Sequence, residues 1–178
     1  MSFGYNIGYA AMAVLASACF AGSASAQQTM SLNYQSSERN GVCAFTVEGG
    51  TLPGTDKPFK FELSLRARDS NFGATIKVNG WNRAQAADPD ANHPMMLEFE
   101  GAGATVSRSG GYSSGFWDMA WAGWGPGANS EPALALLQKS RFVRVHFDGV
   151  DYGRIDLQGT AGFAYTWLIQ CRERLLAE

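Results

Sequence analysis

Gly111-Tyr112-Ser113-Ser114-Gly115 matches the G-x-S-x-G pattern of a nucleophile elbow, which presents a serine hydroxyl for acyl transfer. Asp118 and His146 follow in the Ser, Asp, His order of an α/β-hydrolase. That chemistry requires a sharp strand-to-helix turn at the edge of a large parallel sheet. The surrounding segments alternate as antiparallel strands do, and serine and glycine are ordinary turn residues. Ser113 and His146 are therefore the residues a hydrolase would use, but the context assigns no catalytic role to either.

Asp88-Pro89-Asp90-Ala91-Asn92-His93 resembles the opening of a calcium loop. His93 stands where glycine is needed for the turn, and Phe99 where a bidentate glutamate is needed. The chain has 2 histidines, far apart, so no zinc ligand set forms in the sequence. No metal and no cofactor is assigned.

Two further groups could serve binding. Arg144 and His146 share one face of a predicted strand, and Arg154 and Asp156 can lie across a hairpin on that face. This is a small ionic patch for a partner or an anionic group, or simply a solvated sheet face. The second group is aromatic: Tyr112, Phe116, Trp117, Trp121 and Trp124. Trp117 and Trp121 are expected in the core. Trp124, within Gly123-Trp124-Gly125-Pro126-Gly127, is expected in an exposed loop, where binding residues concentrate. Tyr112, Trp124, Arg144, His146 and Arg154 are the candidate partner-binding residues.

The elements that must position these groups begin after an export signal. Residues 1–26 carry no Asp, Glu, Lys or Arg; an apolar run from Ile7 to Phe20 precedes Ala24-Ser25-Ala26, an A-x-A cleavage pattern before Gln27. The run is short for a bilayer span, and no later segment is long and apolar enough to cross as a helix. Cys19 offers an alternative, a lipidated N-terminus, although Leu15 stands one place too far away for the usual pattern. Export puts the protein in the periplasm or outside the cell, where Cys43 and Cys171 are expected to form a disulfide. The net charge of −2 and the absence of any basic run argue against nucleic acid as a partner.

Residues 27–40 are polar and expected to be loosely held, with Tyr34 as an early contact. Residues 41–178 read as a single β-rich domain. Cys43, Phe45 and Val47 alternate with Ala44, Thr46 and Glu48, and a turn is expected from Gly49 to Gly54. Phe59, Phe61, Leu63, Leu65 and Ala67 alternate with Lys60, Glu62, Ser64, Arg66 and Arg68. Ala74–Val78, Leu97–Phe99 and Ala104–Ser107 continue the pattern, and residues 107–115 read as turn. Residues 116–124 suit either a strand or a helix, with the strand preferred. Ser130-Glu131-Pro132 starts a short helix with Ser130 as its cap, ending near Lys139. Val143–Phe147 and Ile155–Leu157 form a hairpin around Asp148-Gly149. A helix from Thr160 closes the chain, with Ala164, Trp167, Leu168, Cys171 and Leu175 as its apolar stripe. The predicted architecture is mainly β: an antiparallel β-sandwich or curved sheet with a short helix and a C-terminal helix packed on it.

The run Leu136-Leu137-Gln138-Lys139, Arg144-Val145-His146-Phe147, Ile155-Asp156-Leu157-Gln158-Gly159, Phe163-Ala164 and Cys171 resembles the C-terminal part of small exported bacterial proteins of the invasion-associated locus B family. The resemblance implies a β-sandwich-like protein of the periplasm or envelope and carries over no catalytic residue. The reading that follows is a non-enzymatic exported envelope protein that binds a protein or cell-envelope partner. The alternatives are a small-ligand carrier with an apolar cavity between sheet and helix, and a serine hydrolase using Ser113 and His146.

Overall fold

Alternating apolar residues give each strand one face to bury, and pairing register decides which strands bury them together. The computed structural model describes residues 32–52, 57–78, 93–108, 110–113, 118–127, 129–158 and 162–178. The export signal, Cys19 and most of the calcium-like loop lie outside the described residues.

Two antiparallel sheets form. The first contains β1 (Asn33–Arg39), β2 (Val42–Leu52), β3 (Lys57–Arg66) and β4 (Phe72–Val78). The second contains β5 (Met95–Phe99) and β6 (Gly103–Ser107). The chain then returns to the first sheet as β7 (Gly110–Ser113) and β8 (Asp118–Trp124). After α1 (Ser130–Lys139) it completes the second sheet with β9 (Phe142–Phe147) and β10 (Val150–Asp156), and it closes with α2 (Phe163–Ala177). The strand orders are β1-β2-β3-β4-β8-β7 and β10-β9-β5-β6. The mainly β, sandwich-like fold with a C-terminal helix is as expected.

The inner faces supply the core. Phe45, Phe61, Phe72 and Ile76 come from the six-stranded sheet, and Leu97, Phe99, Val145 and Phe147 from the four-stranded one. Ser107 ties the two sheets near β6 and β8, its Oγ donating to the Gly123 carbonyl at 2.7 Å. The helices pack on each other and on strands of both sheets. On α2, Ala164, Leu168 and Cys171 are buried, the centre of the predicted stripe. Cys43 on β2 and Cys171 on α2 form the expected disulfide, with Cα atoms 6.0 Å apart. Around it, Trp167 donates to the Ala44 carbonyl at 3.3 Å and Arg174 meets Glu38 at 2.8 Å. Where α2 begins, Gly162 has φ +77° and passes so close to α1 that a Cβ would stand 2.6 Å from the Gln138 carbonyl oxygen.

Several local expectations are corrected. Asn33–Arg39, expected to be loosely held, pairs along its whole length with β2. Nearly every side chain of β1 is exposed, so the strand is held by its backbone ladder and shows no apolar alternation. Tyr34 is its one half-buried residue, with its ring centroid 6.3 Å from that of Phe45. Gly49 and Gly50, expected to open a turn, have positive φ and sit at a bulge, so β2 runs on to buried Leu52. Residues 110–113, read as turn, form edge strand β7. Ser130 is the first residue of α1, not its cap; Asn129 takes that place without a side-chain bond. The Ser130 Oγ is buried and has no hydrogen-bond partner among the described residues. The predicted hairpin at Asp148-Gly149 is present, and both residues have positive φ, as its tight turn requires.

Candidate functional site

The ionic patch forms on the outer face of the four-stranded sheet. Arg144 lies opposite Glu98 on β5 and opposite Arg154 on β10. Its Nη1 meets Asp151 Oδ2 at 2.6 Å. Arg154 meets Glu100 at 2.7 Å, Arg141 meets Asp156 at 2.8 Å, and His146 Nε2 stands 3.4 Å from Glu98. Arg154 and Arg141 also lie over the Phe142 ring, with Cζ atoms 3.5 and 4.6 Å from its centroid. The structure therefore brings Arg144, His146 and Arg154 together as predicted, and each has a carboxylate of its own. Donating to the Asp151 carboxylate raises the Arg144 pKa, and donating to Asp156 raises the Arg141 pKa. For Asp151, burial acts upward. The Gly153 N–H at 2.7 Å and the Arg144 pair outweigh it and hold the carboxyl below its usual range. These pairs lock the face against itself and leave it little pull on an anionic ligand.

The hydrolase constellation does not assemble. Ser113 lies in β7, in register with Met119 of antiparallel β8, and not at a strand-to-helix elbow. Asp118 is buried opposite Val78 on the six-stranded sheet. His146 is on the outer face of the other sheet, beside Glu98. Of the calcium-like loop, only His93 is described. It is buried, with Nδ1 2.7 Å from Asp148 Oδ2 and its ring beside Phe147, so it ties the loop exit to the β9–β10 turn. Among the described residues, no group of three or more His, Cys, Asp or Glu could hold a metal ion.

The aromatic expectation is inverted. Trp124, predicted exposed, ends β8 opposite Phe72 and is buried, the two ring centroids 5.5 Å apart. Trp121, predicted core, is 38% exposed. Pairing with β4 is the reason: it directs Asp118, Ala120, Ala122 and Trp124 inward beside Val78, Ile76, Ala74 and Phe72. Met119, Trp121 and Gly123 are left on the outer face. Trp117 lies outside the described residues, as does the Tyr112 side chain; the Tyr112 backbone pairs with Ala120 at the sheet edge.

This outer face is built in rows across the six-stranded sheet. One row runs Glu48, Lys60, Lys77, Met119; the next runs Thr46, Glu62, Thr75, Trp121, Gly111; a third runs Ala44, Ser64, Gly73, Gly123. The Trp121 ring lies over Gly111, where a Cβ would come within 2.6 Å of ring atom Cζ2. Glycine at 111 is therefore what lets the ring settle on the sheet. The small third row leaves a trough beside it. A cavity of about 410 Å³ is lined there by Trp121, Met119, Thr75, Ser64, Asn71 and Arg66. A larger open cavity of about 1150 Å³ continues past Met119 to Lys77, Lys60 and Lys57. Lys60 and Lys77, missed as functional candidates, were visible only as alternate polar residues of two strands. Their meeting depends on the β3–β4 register. Among the described residues, no helix is long and apolar enough to cross a membrane. No family model, curated protein or solved structure matches the chain.

Proposed function

We propose that the protein is a non-enzymatic, exported envelope protein that binds a cell-envelope partner through the outer face of its six-stranded sheet. The observation that carries this is Trp121, a large aromatic left on an open sheet face over Gly111, beside a trough of small and polar residues. Trp buries a large area on binding at little conformational cost, so it commonly dominates interface energetics. Export is supported by the N-terminal signal pattern and the Cys43–Cys171 disulfide, which fits an oxidising compartment. The resemblance of the C-terminal segment to the invasion-associated locus B family points the same way.

The test is cosedimentation of the purified, disulfide-intact protein with envelope fragments of its own host. Trp121→Ala is expected to weaken capture by about tenfold or more, the effect of losing one buried aromatic anchor. Capture of Trp121→Ala equal to wild type would overturn the proposal.

A further inference from the structure

We infer that this face takes an acidic saccharide chain, with one sugar ring stacked on Trp121 and an anionic group held between Lys60 and Lys77. The inference rests on the proposal that the outer face of the six-stranded sheet is the binding surface.

Lys60 and Lys77 are directly opposite on β3 and β4. Like charges in that position oppose each other and weaken the pairing. Their neutralisation is incomplete. Lys60 Nζ is 3.5 Å from Glu48 Oε2, while the same carboxylate accepts bonds from Asn33 at 3.3 Å and Gln35 at 2.5 Å. Glu62 is one step along β3, diagonal to Lys77, and Lys77 makes no ion pair among the described residues. Lys57 borders the same cavity. Among the described residues, Lys60 and Lys77 thus share this part of the face with Glu48 and Glu62, and only Lys60 forms an ion pair, with the already shared Glu48. An anion bridging Lys60 and Lys77 would relieve their repulsion.

The aromatic and cationic parts are in reach of one ligand. With strands about 4.8 Å apart and side chains on one face about 6.7 Å apart, the Cα atoms of Lys77 and Lys60 lie roughly 8 and 12 Å from that of Trp121. Two linked sugar residues cover that span, and Met119 borders both cavities between the two ends. A saccharide fits better than a polypeptide. Gly73 and Gly123 place no side chain between Met119 and Val42, which splits the apolar lining of the trough between two separate rows. The lining instead offers Ser64, Thr75 and Asn71, which suit a sugar whose flat C–H face meets the ring while its hydroxyls meet polar groups.

The experiment is calorimetric titration with an oligomer of galacturonic acid and with its neutral methyl ester. Wild type is expected to bind the acid about tenfold more tightly, the effect of a charge-assisted contact, with the advantage shrinking as salt rises. Lys77→Gln removes the advantage and keeps binding of the ester; Lys60→Gln is the second variant should the first fail to fold. Trp121→Ala weakens both ligands. Equal affinity of wild type for acid and ester would overturn the anionic half of the inference. Binding of neither, with envelope capture still sensitive to Trp121→Ala, would overturn the whole inference in favour of a polypeptide occupant and leave the proposed function standing. Binding of neither, with envelope capture absent in wild type or equal in Trp121→Ala, would overturn both.

Discussion

Removing the Cys43–Cys171 bridge tests how the sheet and the closing helix hold together. The cysteines are 128 residues apart, so the bridge closes nearly the whole described chain into one loop. Chain-entropy reasoning gives an unfolded-state penalty of about 17 cal/mol/K, or about 5 kcal/mol at 25 °C. The native state gives little of this back as new strain relief, because both cysteines are fully buried and the contacts of Trp167 and Arg174 remain. A domain of this size typically has a total stability of about 5–15 kcal/mol, so the loss is a large share of it. The assay is urea unfolding of wild type and Cys43→Ala/Cys171→Ala, followed by tryptophan fluorescence. The expected outcome is a fall of about 5 kcal/mol, with a melting temperature lower by roughly 10–20 °C. The same fall should appear in wild type under reductant. A loss below about 2 kcal/mol with an unchanged denaturant slope would refute the reasoning, since the long loop would not then be the source of the bridge's stabilisation.

Further outcomes follow from the burial and charge patterns. Trp124→Ala is expected to cost about 3–5 kcal/mol, because it empties the space against Phe72. Trp121→Ala is expected to cost under about 1 kcal/mol, as a change on the open face; equal losses in thermal unfolding would contradict the assigned strand phase. Asp151 is held below its ordinary 3.8, so its contribution is full above that value and is lost as pH falls through the lower folded-state value. Asp151→Asn should therefore lose stability near neutral pH and flatten the acid limb of the stability curve; an unchanged acid limb in pH-dependent unfolding would contradict the pairing. Lys77→Gln is expected to gain up to about 1 kcal/mol in unfolding by relieving the charge pair with Lys60. A clear loss would mean that Lys77 has a stabilising partner.

The sequence was most legible where one face is buried and the other wet. β3, β9 and α2 show this, and so does the Cys43–Cys171 pair, whose members were each read as core-facing. β1 was hidden because a strand held almost wholly by backbone bonds needs no apolar alternation. The Gly49-Gly50 pair was misread because positive φ serves a bulge as well as a turn. Trp121 and Trp124 are an odd number of residues apart, so one strand must send them to opposite faces. Local sequence does not say which goes in. The choice was made across the ladder, where Trp124 meets Phe72 and Trp121 meets Thr75. The candidate surface was hidden for the same reason, because it is a property of register across five strands.

The two outer faces separate on how completely their charges are answered. On the four-stranded sheet, Arg141, Arg144 and Arg154 each have a close carboxylate, an arrangement that satisfies itself. On the six-stranded sheet, two lysines oppose each other, one carboxylate is shared among three donors, and a tryptophan is left uncovered. Stability alone would replace Lys77 with a neutral or acidic residue and Trp121 with a smaller polar one. The four-stranded sheet also sets two cations opposite each other, Arg144 and Arg154, but answers each with its own carboxylate; leaving Lys77 unanswered beside an uncovered Trp121 concentrates the cost where a ligand can repay it. That asymmetry is why we place the proposed binding surface on the six-stranded sheet and not on the more conspicuous ionic patch.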